Sequence, residues 1–131
     1  MATPLFHANL TVQTKSHDYP IIITDDSSAI SPKKSSIASQ IAPYITGHQV
    51  LIVTNETVAP LYLKALQDEL EAQFTVKVCV LPDGEQYKNQ TSINQIYDAL
   101  MAEHFNRDVT LIALGGGVVG DMTGFAAASF M

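Results

Sequence analysis

The stretch Val109-Thr110-Leu111-Ile112-Ala113-Leu114-Gly115-Gly116-Gly117-Val118-Val119-Gly120-Asp121-Met122-Thr123-Gly124-Phe125-Ala126-Ala127-Ala128-Ser129 decides the fold. Val109–Leu114 is a short, largely apolar run of strand length, and it reads as a buried strand. Three consecutive glycines break it, and Val118–Ser129 then reads as a helix. A membrane span is the other reading, because the 23 residues from Val109 to Met131 carry one charge, Asp121. The glycines, the central Asp and the strand signal ahead of them argue against it.

Working back toward the N-terminus, the same alternation repeats twice. Val50–Val53 is a continuous apolar run, the mark of a strand buried on both faces. Val58, Leu61, Tyr62, Ala65, Leu66 and Leu70 follow at helical spacing, with Pro60 in the first turn, where its missing N–H does no harm. Val76, Val78 and Val80 alternate, and Leu81 closes a second strand. Ile93, Ile96, Tyr97, Leu100, Met101 and His104 make a second helical stripe, and Asn106-Arg107-Asp108 turns the chain into the decisive stretch. Further upstream, residues 9–14 alternate, Pro20 leads into Ile21–Thr24, and the polar Lys15–Asp18 connector predicts a β-hairpin. Residues 25–36 read as loop, and Ile37, Ala38 and Ile41 give a short helix ending near Pro43.

The order is therefore β-β, a short helix, then β-α-β-α-β-α. The fold class is α/β: a Rossmann-like, mostly parallel sheet with helices on both faces, right-handed crossovers and an N-terminal β-hairpin. The 131 residues suit one domain.

Composition narrows the function. Seven Lys and Arg stand against 13 Asp and Glu, a net charge of −6, which argues against nonspecific nucleic-acid binding. The 15% charged content is low beside roughly 25% in a typical domain, so part of the surface is expected to be covered. Cys79 is the single cysteine, which rules out an intrachain disulfide or a Cys-rich metal site and fits a reducing cytoplasm. Flanked by valines in a strand, it reads as a buried, inert thiol. Met1–Phe6 shows no signal-peptide pattern. His7, His17, His48 and His104 form no pair at metal spacing, and no nucleophilic triad can be assembled. His104 reads as packing or as a charge at a helix C-terminus.

Three motifs fall at strand ends, the edge where open α/β sheets bind ligands. Leu114-Gly115-Gly116-Gly117-Val118-Val119-Gly120-Asp121 joins a strand to a helix. Glycines let a phosphate approach the backbone, and a helix start offers free N–H groups. Gly115, Gly117 and Gly120 satisfy G-x-G-x-x-G, a weak match by itself, and a tight turn with no ligand is the plain alternative. Leu81-Pro82-Asp83-Gly84-Glu85-Gln86-Tyr87-Lys88 follows the second strand of the alternating series. Asp83-Gly84 signals a turn, and Glu85 and Lys88, three apart, can share one face, a carboxylate for ribose hydroxyls and an ammonium for phosphate. An ordinary polar loop is the alternative. In Val53-Thr54-Asn55-Glu56-Thr57, Asn55 or Thr57 reads first as a helix cap.

Taken together, these motifs resemble the N-terminal part of the 3-dehydroquinate synthase family. The resemblance rests on Val53–Tyr62, on Leu81–Lys88 and on Ala113–Ser129, with Tyr19-Pro20-Ile21 fitting an early strand. It covers about residues 9–131. It implies an N-terminal domain that binds NAD, a helical C-terminal domain that holds a divalent metal (zinc or cobalt), and a sugar-phosphate substrate between them. It further implies a homodimer, and no nucleic-acid or membrane partner. The implied reaction converts 3-deoxy-D-arabino-heptulosonate 7-phosphate to 3-dehydroquinate and phosphate in the shikimate pathway. Carried over residue by residue, the cofactor contacts are Asn55, Asp83, Gly84, Glu85, Gln86, Tyr87 and Lys88, with Gly115, Gly116, Gly117, Val118, Val119, Gly120 and Asp121. Glu85 and Lys88 are the foremost of the first set. No catalytic residue and no metal ligand falls within these 131 residues, so the chain is expected to be a truncated N-terminal piece, inactive alone. Related sugar-phosphate cyclases, glycerol and alcohol dehydrogenases, and a noncatalytic nucleotide-binding module are the rivals. The dehydrogenases usually carry Gly-Gly-Gly-Ser at this loop, where Val118 follows here.

Overall fold

The structure, a computed structural model, describes residues 7–24 and 36–130. The chain forms two compact units, divided after residue 36.

The first unit carries the predicted hairpin. Strand β1, His7–Val12, pairs antiparallel with β2, Tyr19–Thr24, in a register that sets Leu10 opposite Ile21 and Val12 opposite Tyr19. Thr14 organises the turn: its hydroxyl accepts from the amides of Ser16 and His17 at 3.3 and 3.1 Å and donates to the His17 carbonyl. The loop expected over residues 25–36 lies, apart from Ser36, outside the described residues.

The second unit is the α/β body. Helix α1, Ile37–Ile41, runs into a single 3-10 turn, Ala42–Tyr44, with Pro43 inside it. Then come β3 (Gln49–Asn55), α2 (Ala59–Leu70), β4 (Thr75–Leu81), α3 (Gln90–Ala102), β5 (Thr110–Leu114) and α4 (Gly117–Ser129). The sheet order is β4-β3-β5 and all three strands are parallel. Strand β3 is central, and Val50, Leu51, Ile52 and Val53 are fully buried, as the unbroken apolar run requires.

The pleat of β3 sends alternate side chains into two layers. Val50 and Ile52 pack with Ala38, Leu66, Leu70 and Val76, under α1 and α2. Leu51 and Val53 pack with Leu81, Ile93, Ile96, Leu100, Val119, Met122 and Ala126, under α3 and α4. Strand β5 departs from expectation, since Ala113 is exposed and no residue of the strand is fully buried. It is an outer strand of this sheet, so one edge and part of its faces lack cover among the described residues.

Of the two readings of His104, packing does not hold, because it is exposed at the C-terminal end of α3. It lies beyond the helix, in the left-handed region at φ 55°. Its amide donates to the Met101 carbonyl and that of Phe105 to the Leu100 carbonyl, both at 3.1 Å, while Phe105 and Leu100 are both buried. That is the Schellman closure of α3, with a histidine where glycine is the easier residue. Among the described residues no helix is long and apolar enough to cross a membrane.

Candidate functional site

From β3 the chain passes to β4 on one side, then returns over β3 to β5 on the other. The loops leaving the carboxyl ends of β3 and β5 therefore diverge, and a crevice opens between them by topology alone. It measures about 270 Å³ and is lined by Asn55, Thr57, Val58 and Asp83 on one side and Gly116, Gly117, Val118 and Val119 on the other.

Its first wall begins at the buried Asn55, the last residue of β3. Its Oδ1 accepts from the amides of Thr57 and Val58 at 3.1 and 2.8 Å, which turns the chain into α2. That turn precedes α2, whose N-cap is Val58 with no side-chain cap, so neither Asn55 nor Thr57 caps the helix. The Thr57 hydroxyl instead donates to Asp83 Oδ2 at 2.7 Å, and Asn55 Nδ2 donates to Asp83 Oδ1 at 3.2 Å. Both oxygens of the Asp83 carboxylate are held, and the loop after β4 is fastened to the end of β3. Thr54, buried one residue earlier, donates to the Leu114 carbonyl at 2.7 Å and ties β3 to the last residue of β5.

The opposite wall is the start of α4. No side chain caps it, and its N-cap is Gly116. By contrast, Asn89 accepts from the Ser92 amide at the head of α3 at 3.0 Å. A methyl group built on Gly116, Gly117 or Gly120 would meet nothing within 4 Å. The chain's own packing does not demand glycine there; open space above free amides suits a phosphate's approach. Gly115 differs, because its added methyl would sit 2.9 Å from Val119 Cγ2.

A second groove, about 370 Å³, lies between α3 and α4 and is lined by Lys88, Asn89, Gln90, Ile93, Asp121, Met122 and Phe125. Lys88 Nζ lies 2.8 Å from Asp121 Oδ2 and 3.8 Å from Glu85 Oε1. The hydrogen bond and charge of Asp121, then the charge of Glu85, raise the Lys88 pKa. Glu85, Gln86 and Tyr87 form a 3-10 turn, after Gly84 at φ 131°.

The expected contacts thus divide. Asn55, Asp83, Gly116, Gly117, Val118 and Val119 share the switch-point crevice, whereas Lys88 and Asp121 share the groove. Gly84, Glu85, Gln86, Tyr87, Gly115 and Gly120 line neither. The motif reading expected Glu85 and Lys88 to share a face, and they do. It missed the Lys88–Asp121 pair, 33 residues apart, the Thr57–Asp83 bond, and the lining roles of Thr57, Val58, Asn89, Gln90, Ile93, Met122 and Phe125. Among the described residues no three His, Cys, Asp or Glu side chains converge on a metal position.

Residues 78–131 match the family described as 3-dehydroquinate synthase N-terminal. The chain is 83% identical over its whole length to the 3-dehydroquinate synthase of Psychrobacter cryohalolentis, covering 35% of that protein. It is 77% identical to that of Psychrobacter arcticus, covering all of this chain and 34% of the relative. The enzyme of Acinetobacter baylyi is 53% identical over 92% of this chain and 32% of its own length. Among solved structures, 2-epi-5-epi-valiolone synthase from Streptomyces hygroscopicus, with NAD+ and Zn2+ bound, superposes with a TM-score of 0.61 at 29% identity. That match covers 69% of this chain and 25% of the neighbour. A 2-deoxy-scyllo-inosose synthase superposes with a TM-score of 0.64 at 20% identity, over 72% of this chain and 26% of the other, and shows the same fold. The chain spans about a third of the length of the curated relatives it matches. Over its full length it is similar to these 3-dehydroquinate synthases, the family that its motifs resemble.

Proposed function

We propose that this chain, related throughout to 3-dehydroquinate synthases, is the NAD-binding domain of such an enzyme. One observation carries the reading. The crevice at the reversal of strand order has uncapped amides and room above Gly116 and Gly117 on one wall, and a fixed polar wall of Asn55, Thr57 and Asp83 on the other. Those walls fit a dinucleotide: the α4 amides for a pyrophosphate, and Asn55 and Asp83 for the adenosine side. Outside the crevice, Lys88 in the second groove and Glu85, 3.8 Å from it, are a cation for phosphate and a carboxylate for ribose hydroxyls. Gly84, Gln86 and Tyr87 shape the turn that carries them, and Gly115, Val118, Val119, Gly120 and Asp121 complete the opposite loop and helix.

The whole protein would convert 3-deoxy-D-arabino-heptulosonate 7-phosphate to 3-dehydroquinate and phosphate, in the cytoplasm and as a homodimer. Bound NAD would supply a reversible oxidation of a substrate hydroxyl, which acidifies the neighbouring carbon. What the residues described here do is narrower: they bind and orient the dinucleotide. The divalent metal and the catalytic groups are assigned to the part of the longer protein outside residues 1–131.

Two measurements test the reading. Calorimetric titration of the full-length protein with NAD should show binding that Gly117→Ala weakens; no binding would overturn the site. Phosphate release from the heptulosonate phosphate, with NAD and zinc, is expected from the full-length protein and not from residues 1–131 alone. Turnover by the 131-residue chain would overturn the placement of the chemistry.

A further inference from the structure

Thr54 lines neither cleft, yet it bears on a wall of the crevice. It ends the apolar run of β3 with a hydroxyl, is fully buried and stands opposite Leu114 in the β3–β5 register. A valine would suit a buried strand as well and would bring no polar atom to desolvate. The hydroxyl has a specific partner instead: it donates to the Leu114 carbonyl at 2.7 Å. Leu114 is the last residue of β5, and Gly115, Gly116 and Gly117 follow it. Three glycines have no side chains that could pack and set a loop, and their backbone is unusually free. The loop must therefore be fixed through its peptide groups. At its far end the Gly120 amide donates to the Gly116 carbonyl at 3.0 Å, as part of α4. At its near end Thr54 holds the Leu114 carbonyl, which also sets the Gly115 N–H, because the two belong to one planar peptide unit. Between the two anchored carbonyls lies Gly115 alone, seated so closely that an added methyl would be 2.9 Å from Val119 Cγ2.

We propose that Thr54 is a positioning residue for the dinucleotide: through the Leu114 carbonyl it holds the glycine loop in the shape that presents the α4 amides to a pyrophosphate. The role rests on the crevice being a dinucleotide site. It makes the end of β3 the reference for both walls, since Asn55 holds Asp83 across the crevice from the loop that Thr54 holds. The physical basis is preorganisation. Without the tie, the empty loop samples other glycine conformations. A ligand then binds only the fraction that is still competent, and its affinity falls by that fraction. Once the ligand is bound the loop is in its proper shape again, so the steps after binding are unaffected.

The test is calorimetric titration with NAD of the full-length protein and its Thr54→Val, Thr54→Ser and Thr54→Cys variants, alongside phosphate release at saturating NAD. Thr54→Val keeps the shape and loses the donor. Its NAD affinity should fall by about three- to tenfold, the worth of one intramolecular hydrogen bond, with kcat at saturating NAD unchanged. Thr54→Ser keeps the donor and should bind NAD as the parent does. Thr54→Cys, with a weak donor in place of the hydroxyl, should fall between them, and it supplies the reading if Thr54→Val does not fold. A purely structural role would lower the unfolding midpoint and leave NAD affinity unchanged. That result in a folded variant overturns the role of Thr54 and leaves the site standing. Failure of Thr54→Ser to restore the affinity overturns it too, since packing of the methyl would then be responsible. A parent that binds no NAD overturns the site itself.

Discussion

Gly120 separates the demands of a ligand from those of a helix. It sits inside α4, where glycine costs about 1 kcal/mol relative to alanine, and nothing within 4 Å would meet an added methyl. Gly120→Ala is therefore expected to raise stability by about 1 kcal/mol while weakening NAD, as read by urea titration and calorimetry. A stable variant with unchanged NAD affinity would show that the glycine serves no ligand. His104 makes the converse point. Held at φ 55°, it bears a strain that glycine would not, so His104→Gly should stabilise the protein by roughly 1 kcal/mol without altering ligand binding. Cys79 is buried, and desolvation raises its thiol above the ordinary 9.0. A raised folded value means that its stabilising contribution is complete below the unfolded thiol's pKa and is lost as pH climbs through the folded one. Thiol reagents at pH 8 should accordingly label Cys79 at the rate of unfolding, and fast labelling of the native protein would contradict its placement.

At the scale of elements, the ends of helices carry more information than their middles. Asn55 joins three of them: it ends β3, takes two amides at the entrance to α2, and pins the loop after β4. Asn55→Ala strips buried hydrogen bonds from that turn and should cost about 1–3 kcal/mol, measured by denaturant unfolding, and should loosen the crevice as well. The predicted helices and strands all form, with boundaries displaced by a few residues. The helical stripe ending at His104 stops at Ala102 because the chain turns left-handed there. Periodicity reports which residues face the core and says little about the residue at which a hydrogen-bond ladder closes. Strand β5 was legible as a strand, but its depth was not, because apolar content does not distinguish a central strand from an outer one.

At the scale of the whole molecule, β3 is the shared wall of two core layers. Leu51→Ala opens the layer under α3 and α4, and Ile52→Ala opens the layer under α1 and α2. Each is expected to cost about 2–5 kcal/mol, and both should shift one common unfolding transition of the α/β unit. Separate transitions would mean that the layers unfold independently. The motifs at three strand ends were readable as candidate site residues because glycines, turn residues and acids punctuate the apolar runs. Their division between two clefts was not readable, since Lys88 meets Asp121 across 33 residues of chain and Asp83 meets Thr57 across 26.

The sequence by itself determined the element order and the parallel sheet, because hydrophobic period and glycine placement are local properties. The family likeness was likewise written in contiguous motifs. Only the tertiary structure decided which side of the sheet each strand joins, and so where the crevice opens. It alone showed that Asn55 holds the turn ahead of α2 while Thr57 reaches Asp83, and that the start of α4 is left without a side-chain cap. Such facts depend on where distant backbone segments meet, and no local pattern encodes that meeting.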